Sequence, residues 1–451
     1  MVVSRPPRKR CARLRFRQLD GRCTTNRNRA WGAINEPQFS YRTWHSSATP
    51  TGTHLPSARL ISNIVSSQSG DILSRRRLNQ LTTFMGQFLD HCLIKTPSNR
   101  AEPLNIPIPR HDRIFANFSR GQLSMHRSRR MPVRNARGRI RAHRAINTLP
   151  SAVDLTAVYG TDERRLSAMR TGAGGMLRVQ RSASGDLLPL NTGSFQNDPA
   201  NAGPFFLAGE SRSNENPALT SLHTLFVREH NTIARQLHAV FPGKDDDTLF
   251  QYARVVNIAQ FQKVVFEEYY PAMTGRTLRY RGYNENVNPT VSDIFGGAAF
   301  RVGHTMVGSS VPRRGPGNKK LAPIPASRMF FPPAAMLRSQ GIDPFLRGML
   351  YERSQEVDLS VSDTLRNLLF STRLGHEHGF DLVALNIQRG RDHALPSYNG
   401  VRRMFGRRPA GSFHDISRSA AVRSALHSAY GSTSRVEAWV GLMAEPHVRG
   451  A

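Results

Sequence analysis

Cysteine, lysine, acidic residues and long apolar runs are all scarce in this chain. Only Cys11, Cys23 and Cys92 occur in 451 residues, with no Cys-x-x-Cys pairing, so neither a zinc-ribbon site nor a densely disulfide-framed scaffold is available. At most one intramolecular disulfide can form. Cys11 and Cys23 could bridge to close a short loop, while Cys92 reads as a small buried apolar residue. No run approaches the roughly 18 apolar residues needed to cross a bilayer. The start, MVVSRPPRKRCARLRFRQL, lacks the apolar stretch of a secretory leader. Either the protein stays inside the cell, or this is not the native start.

Acidic residues number 32 against 63 basic ones, only six of them lysine, and the formal net charge is +31. A charge of that size attracts polyanions whatever the fold. The arginines are nevertheless scattered, with local concentrations at Arg5–Arg17 and Arg127–Arg144. The simpler reading is a compositional bias on solvated faces. The length allows one large domain or two to three smaller ones, each with a sizeable core.

Strand-like alternation is nearly absent as well, and what remains is helical. Leu78, Leu81, Met85, Phe88 and Cys92 make an apolar stripe at three- and four-residue steps. Gln87, Asp90, His91 and Ile94 repeat the spacing on a second face, so an amide, a carboxylate and an imidazole converge. Polar groups on an apolar helix suit a pocket wall, although a satisfied core pair is the commoner explanation. Asn216–Val240 reads as a long helix with Pro217 in its first turn. Thr248–Tyr270 follows the acidic cluster Asp245–Asp247, which suits a helix N-terminus. Shorter helices are expected at Asp343–Leu350, Ser360–Phe370, Leu382–Gln388, Ser397–Arg403 and Ser419–Tyr430. Between them, residues 46–57 read as a linker, Met125–Arg144 as a solvated basic stretch, Thr171–Asn197 as a glycine-rich hairpin and Val311–Pro325 as a Pro/Gly/basic loop. The fold class expected is mainly α, with long irregular connections and little β.

Four segments carry groups that packing alone does not explain: GQFLDH around His91, FLAGESRSNENPALTSLHTLFVREHN around Arg212 and Glu215, FRVGHT ending near His304, and LNIQRGRDHALPSYN with Asn386 and Arg389 one turn apart. In this order they resemble the animal-type haem peroxidases of the peroxidase–cyclooxygenase superfamily, nearest to the peroxinectin- and peroxidasin-like branches. The likeness runs from about Asp20 to the end. It implies a basic arm at 1–19 and one helical haem-enclosing domain over 20–451, short at its C-terminal end. It further implies secretion, hydrogen peroxide as oxidant, and a halide, thiocyanate or small phenol as reductant.

The resemblance also implies roles. His91 matches the acid/base that moves a proton from one peroxide oxygen to the other, a task suited to an imidazole. Arg212 matches the guanidinium that stabilises the leaving oxygen, and Gln87 the amide that orders water and halide. His304 matches the axial iron ligand, with Asn386 fixing its far nitrogen. Arg301 and Arg389 match partners of the haem propionates. Asp90 and Glu215 match the carboxyls that ester-link haem b. Because Asn216 stands where some relatives carry a methionine, at most two ester links and no sulfonium are expected.

Departures from the pattern are informative. Relatives usually carry a calcium-ligating aspartate directly after the acid/base histidine, where this chain has Cys92, a poor ligand for a hard cation. Asp154, Thr156 and the Ala152 carbonyl match calcium ligands, but Pro150 replaces a usual threonine. Family cysteines expected near Asn105 and Ser124 are missing. Two other functions compete with peroxide-dependent oxidation. A fatty-acid dioxygenase would need a tyrosine three residues before His304, where Arg301 stands. A basic adhesion or polyanion-binding protein on the same scaffold fits the net charge and the Arg127–Arg144 stretch.

Overall fold

The computed structural model describes residues 11, 14–40, 51–68, 70–116, 121–135, 137–192, 195–198, 204–332, 334–369 and 379–448. The basic run from Arg5 to Arg10, the first half of the 46–57 linker, Phe370 and the last three residues lie outside that set. About 41% of the chain is helical and 14% is strand, in small sheets only, as expected of a mainly α fold.

Seven helices frame the centre: α1 (Ala58–Val65), α2 (Gln80–Leu93), α3 (Pro217–Val240), α4 (Asp246–Lys263), α5 (Asp343–Tyr351), α6 (Leu382–Asp392) and α7 (Ala438–Ala444). Each long helix starts on a side chain that satisfies an orphan backbone donor. Asn79 accepts from Thr82 at α2, Asn216 from Leu219 at α3, Asp245 from Thr248 at α4 and Asp381 from Ala384 at α6. Beyond Lys263 the chain continues through a π turn, Val264–Tyr269. That turn lays Tyr269 against α2, where a Cβ on Gly86 would sit 2.6 Å from the tyrosine hydroxyl. Only glycine allows that approach.

An aromatic cluster locks the central helices together. Phe88 of α2 is fully buried, stacks on Phe226 of α3 at 5.1 Å, and meets Phe261 of α4 edge-on at 5.6 Å. Replacing such a ring with alanine costs about 3–5 kcal/mol. A buried charge cluster does the equivalent for α6. Arg59 of α1 bonds Asp112 at 2.6 Å and Asp381, the cap of α6, at 2.7 Å. Removing one member strands the others without partners, which is why such clusters tolerate substitution poorly.

Three readings of the sequence need correction. Met125–Arg144 is not a solvated stretch: Arg130–Arg134 pairs antiparallel with Ile140–Asn147, Arg130 opposite Ala145, and Glu36–Pro37 adds a third strand. Arg127 is buried against Asp392, and Arg130 bonds Glu102. Val311–Pro325 is a hairpin as well, Ser310–Arg314 against Lys320–Pro325. Helical and strand periods fail to show there because proline and arginine hide the alternation. Thr171–Asn197, read as a hairpin, makes only isolated bridges among its described residues: Leu177 with Arg170, Gln180 with Leu187 and Leu190 with Phe206.

Candidate active site

The second face of α2 points toward the loop that precedes α3. His91 is 4% exposed, and its Nδ1 and Nε2 lie 3.9 Å from Glu210 and Glu215 carboxylate oxygens, beyond hydrogen-bond reach. Burial first, then the positive charge of Arg212 and the proximity of His223 and Lys95, hold this imidazole well below its usual pKa. It is therefore neutral at physiological pH and free to accept a proton. Gln87, one turn earlier, accepts from the Asn216 amide at 2.9 Å, which ties α2 to the cap of α3.

Arg212 is fixed from three directions. Its backbone N–H and Nε donate to Glu210 at 2.6 and 2.9 Å, and Nη2 donates to the Ile94 carbonyl at 2.9 Å. Asp90 lies 3.7 Å from Nη1. Burial alone would raise the Glu210 carboxyl, but Arg212 and Lys95 hold it below the ordinary carboxylate range. Lys95 also bonds Asp198 at 2.8 Å and the Ser211 hydroxyl. Glu210 and Lys95 received no role from the sequence. The signal was present: Glu210 stands two residues before Arg212 in FLAGESR, and Lys95 four after His91.

Two further carboxyls behave differently. Burial pushes Asp90 up to about 6, against the pull of Arg212 and Arg301, and Glu215 up to about 7, against Arg212. A third of the Asp90 side chain and a fifth of the Glu215 side chain stay open to the cleft. Both exist substantially as neutral acids near pH 6. Asp90 also joins the two walls, since it feels Arg212 on one side and Arg301 on the other.

The second wall is the 3-10 turn Ala299–His304, which packs on α2. His304 Nδ1 lies 3.1 Å from Asn386 Oδ1 and 2.9 Å from Nδ2. Arg301 Nη1 donates to the same Oδ1 at 2.8 Å, so Asn386 is shared by both residues. No described residue bonds Nε2, leaving that nitrogen for a metal. Burial, then Arg301, lowers the imidazole to about 3, so it is neutral and able to ligate. Arg301 also donates to the Gly296 carbonyl at 3.2 Å. Arg389 Nη1 bonds Asp392 at 2.8 Å, Ser128 at 2.7 Å and the His126 carbonyl at 3.1 Å.

The structure thus places Gln87, Asp90 and His91 on α2, Arg212 and Glu215 on the loop before α3, Arg301 and His304 on the 3-10 turn and Asn386 on α6, with Asp90 near enough to feel both Arg212 and Arg301. Arg389 sits behind the second wall, bound within the protein through that nitrogen. Asp154, Thr156 and Ala152 lie on a loop beyond the far side of α2, away from His304. A buried imidazole oriented by Asn386, together with a second neutral imidazole and a fixed guanidinium, is a donor set whose chemistry fits haem.

A helical haem oxidoreductase is the class that fold and cleft define. The family model described as animal haem peroxidase matches residues 16–451. Peroxinectin A of Dictyostelium discoideum is 33% identical over 97% of this chain and 84% of its own length. Human eosinophil peroxidase is 32% identical, over 97% of this chain and 68% of its length. Among solved structures, peroxidase A from Dictyostelium discoideum superposes with a TM-score of 0.90 at 32% identity, covering 97% of this chain and 88% of that one. A fatty acid alpha-dioxygenase of Oryza sativa has a TM-score of 0.81 at 20% identity, over 98% and 76% of the two chains, a likeness of fold alone. The chain belongs to the animal haem peroxidase family. It is a haem-dependent oxidoreductase that acts on hydrogen peroxide.

Proposed function

We propose that this chain oxidises a small donor, a halide, thiocyanate or a phenol, at the expense of hydrogen peroxide, with His91, Arg212 and His304 as its working residues. The supporting observation is a guanidinium held by Glu210 and the Ile94 carbonyl near an imidazole kept neutral by burial, together with a second imidazole oriented by Asn386.

When bound, haem supplies the two electrons that split the oxygen–oxygen bond and is later restored by two electrons from the donor. The protein's own groups handle protons and charge. Nε2 of His91 takes the proton from one peroxide oxygen and returns it to the other, which leaves as water, so the imidazole ends as it began. Arg212 faces the charge that develops on the leaving oxygen, and its fixed position avoids reorganisation at that moment. Gln87, anchored by Asn216, orders water beside His91. His304 would hold the metal, and Asn386 keeps its ring in one orientation. Arg301 and Arg389 would supply guanidinium donors to the propionates. Asp90 and Glu215 are the carboxyls that would attach haem covalently, by two ester links at most.

Peroxide-dependent guaiacol or bromide oxidation by the haem-loaded protein tests this reading. Loss of turnover in His91→Ala with the Soret band retained supports it. A wild-type protein that binds haem but turns over neither donor contradicts it.

The net charge of +31 supports a second, coexisting property, non-specific polyanion binding. Elution from heparin at a salt concentration far above that for an uncharged control is the expected result. An extracellular location is supported by the Cys11–Cys23 disulfide, a bond that persists in oxidising compartments. Among the described residues no helix is long and apolar enough to cross a membrane.

A further inference from the structure

The family implies calcium at the loop that carries Asp154, and the residues present do not fit it. Calcium takes six to eight oxygens, carboxylates prominent among them. Among the described residues no group of three or more His, Cys, Asp or Glu side chains is placed to hold an ion. Asp154 is the one carboxylate on this loop, and both of its oxygens are already engaged. Oδ2 accepts from Arg17 Nε at 2.7 Å and Oδ1 from the Thr156 hydroxyl at 2.5 Å. The Val153 carbonyl accepts from Gln262 at 2.8 Å, and the Ser151 hydroxyl accepts from the Val291 amide at 3.0 Å. Cys92, which would face the ion from α2, is a fully buried neutral thiol.

The charge balance points the same way. Beside Arg17, a second guanidinium, Arg254, lies close enough to feel Asp154, and its Nη1 donates to the Arg17 carbonyl at 2.9 Å. Two guanidiniums against one carboxylate make a site that repels a divalent cation.

The segment that delivers Arg17 is built for the purpose. The Cys11–Cys23 disulfide brackets it, and Arg17 Nη2 also donates to Thr24 at 2.9 Å. Gly21, at φ +72°, lies flat on Pro150: a Cβ there would come within 2.6 Å of the proline ring. Pro150 and Cys92 are the two departures at the expected calcium ligands, and the segment carrying Arg17 covers the loop at Pro150. From Asp154 the connection runs through Thr156 into the short helix Thr156–Tyr159, which packs on α2. Cys92 adjoins His91.

We propose that Arg17 takes the part of a resident cation in this chain, its guanidinium pinning the Asp154 loop to the segment closed by the Cys11–Cys23 disulfide, and that no calcium binds there. The swap places the positive charge on the chain itself. Removal of divalent ions then leaves the Asp154 loop undisturbed, whereas cutting the disulfide loosens it.

The test uses purified haem-loaded protein and readouts that do not depend on turnover. Elemental analysis and calorimetric titration with calcium chloride should show no stoichiometric binding, and EGTA should leave the melting temperature unchanged. Arg17→Gln should lower that temperature by about 5 °C. Arg17→Lys, which keeps the charge but not the fork, should recover part of the loss. Reduction of the disulfide should lower it by a similar amount, and less than additively with Arg17→Gln, because both act on one tether. One equivalent of bound calcium together with a fall in melting temperature on adding EGTA overturns the proposal. So does an Arg17→Gln protein as stable as its parent. Should Arg17→Gln fail to fold, the calcium titration of the unaltered protein still decides.

Discussion

Two guanidiniums in this molecule are each held by one buried carboxylate, and they serve opposite ends. Arg212 is gripped by Glu210 through its backbone and Nε, while Nη1 remains toward the cleft near Asp90. Arg17 is gripped by Asp154 and Thr24, and its backbone carbonyl accepts from Arg254. The pairing chemistry is alike in both. What differs is the neighbourhood: Arg212 acts on His91 and Asp90, whereas Arg17 meets the Asp154 loop, where it stands in for a cation.

Substitutions can break that contrast, and the largest effects belong to the cleft. His91→Ala should lower kcat/KM for peroxide by about 10³- to 10⁴-fold, read by stopped flow on protein with an unchanged Soret band. Arg212→Ala should cost about 10²- to 10³-fold, with haem still bound. Glu210→Gln removes the charge that positions Arg212 and should cost about 10- to 100-fold in kcat/KM, against little change in the KM for the reducing donor. At the other pair, Arg17→Gln should change kcat/KM by less than about threefold while lowering stability, since the loop lies behind α2. If Arg17→Gln cost as much activity as Glu210→Gln, the two pairs would not be doing different jobs.

A pH series gives a smaller, graded effect. Burial lowers His223 and His230 to about 4. The unfolded chain protonates its histidines near 6.5. Between those values these two, with His304 and His393 lowered to about 3, bind more protons unfolded than folded. They outnumber Asp90 and Glu215, raised to about 6 and 7, which act the other way, so stability falls as pH drops from about 6.5 toward 4. Thermal melts across that range should show a steady decline. Activity should follow a different course. His91 is held well below its usual pKa, so kcat/KM for peroxide should stay flat through pH 6.5 and fall only at lower pH.

Legibility in the sequence followed the same division. Both α2 and α3 show in an apolar period with cap residues at their starts, and the cleft residues sit inside contiguous motifs such as GQFLDH and FLAGESR. Glu210 was in plain view there but lacked a role, because its partner Arg212 is defined only once the loop is folded. The Asp154–Arg17 pair spans 137 residues and follows no local pattern. Arg127 is similar: within a basic run it looks solvated, yet its partner Asp392 lies 265 residues away and buries it. Periodicity reports faces of single elements, and pairings between distant loops leave no period.

The most direct test of the cleft is the absorption spectrum of the haem-loaded protein, wild type and His91→Gln, before and after one equivalent of peroxide. The wild-type Soret band should shift within milliseconds and return on adding guaiacol, while the variant's should shift orders of magnitude more slowly. Equal rates in the two proteins, or a wild-type band that does not move, would contradict the assignment of the proton transfer to His91.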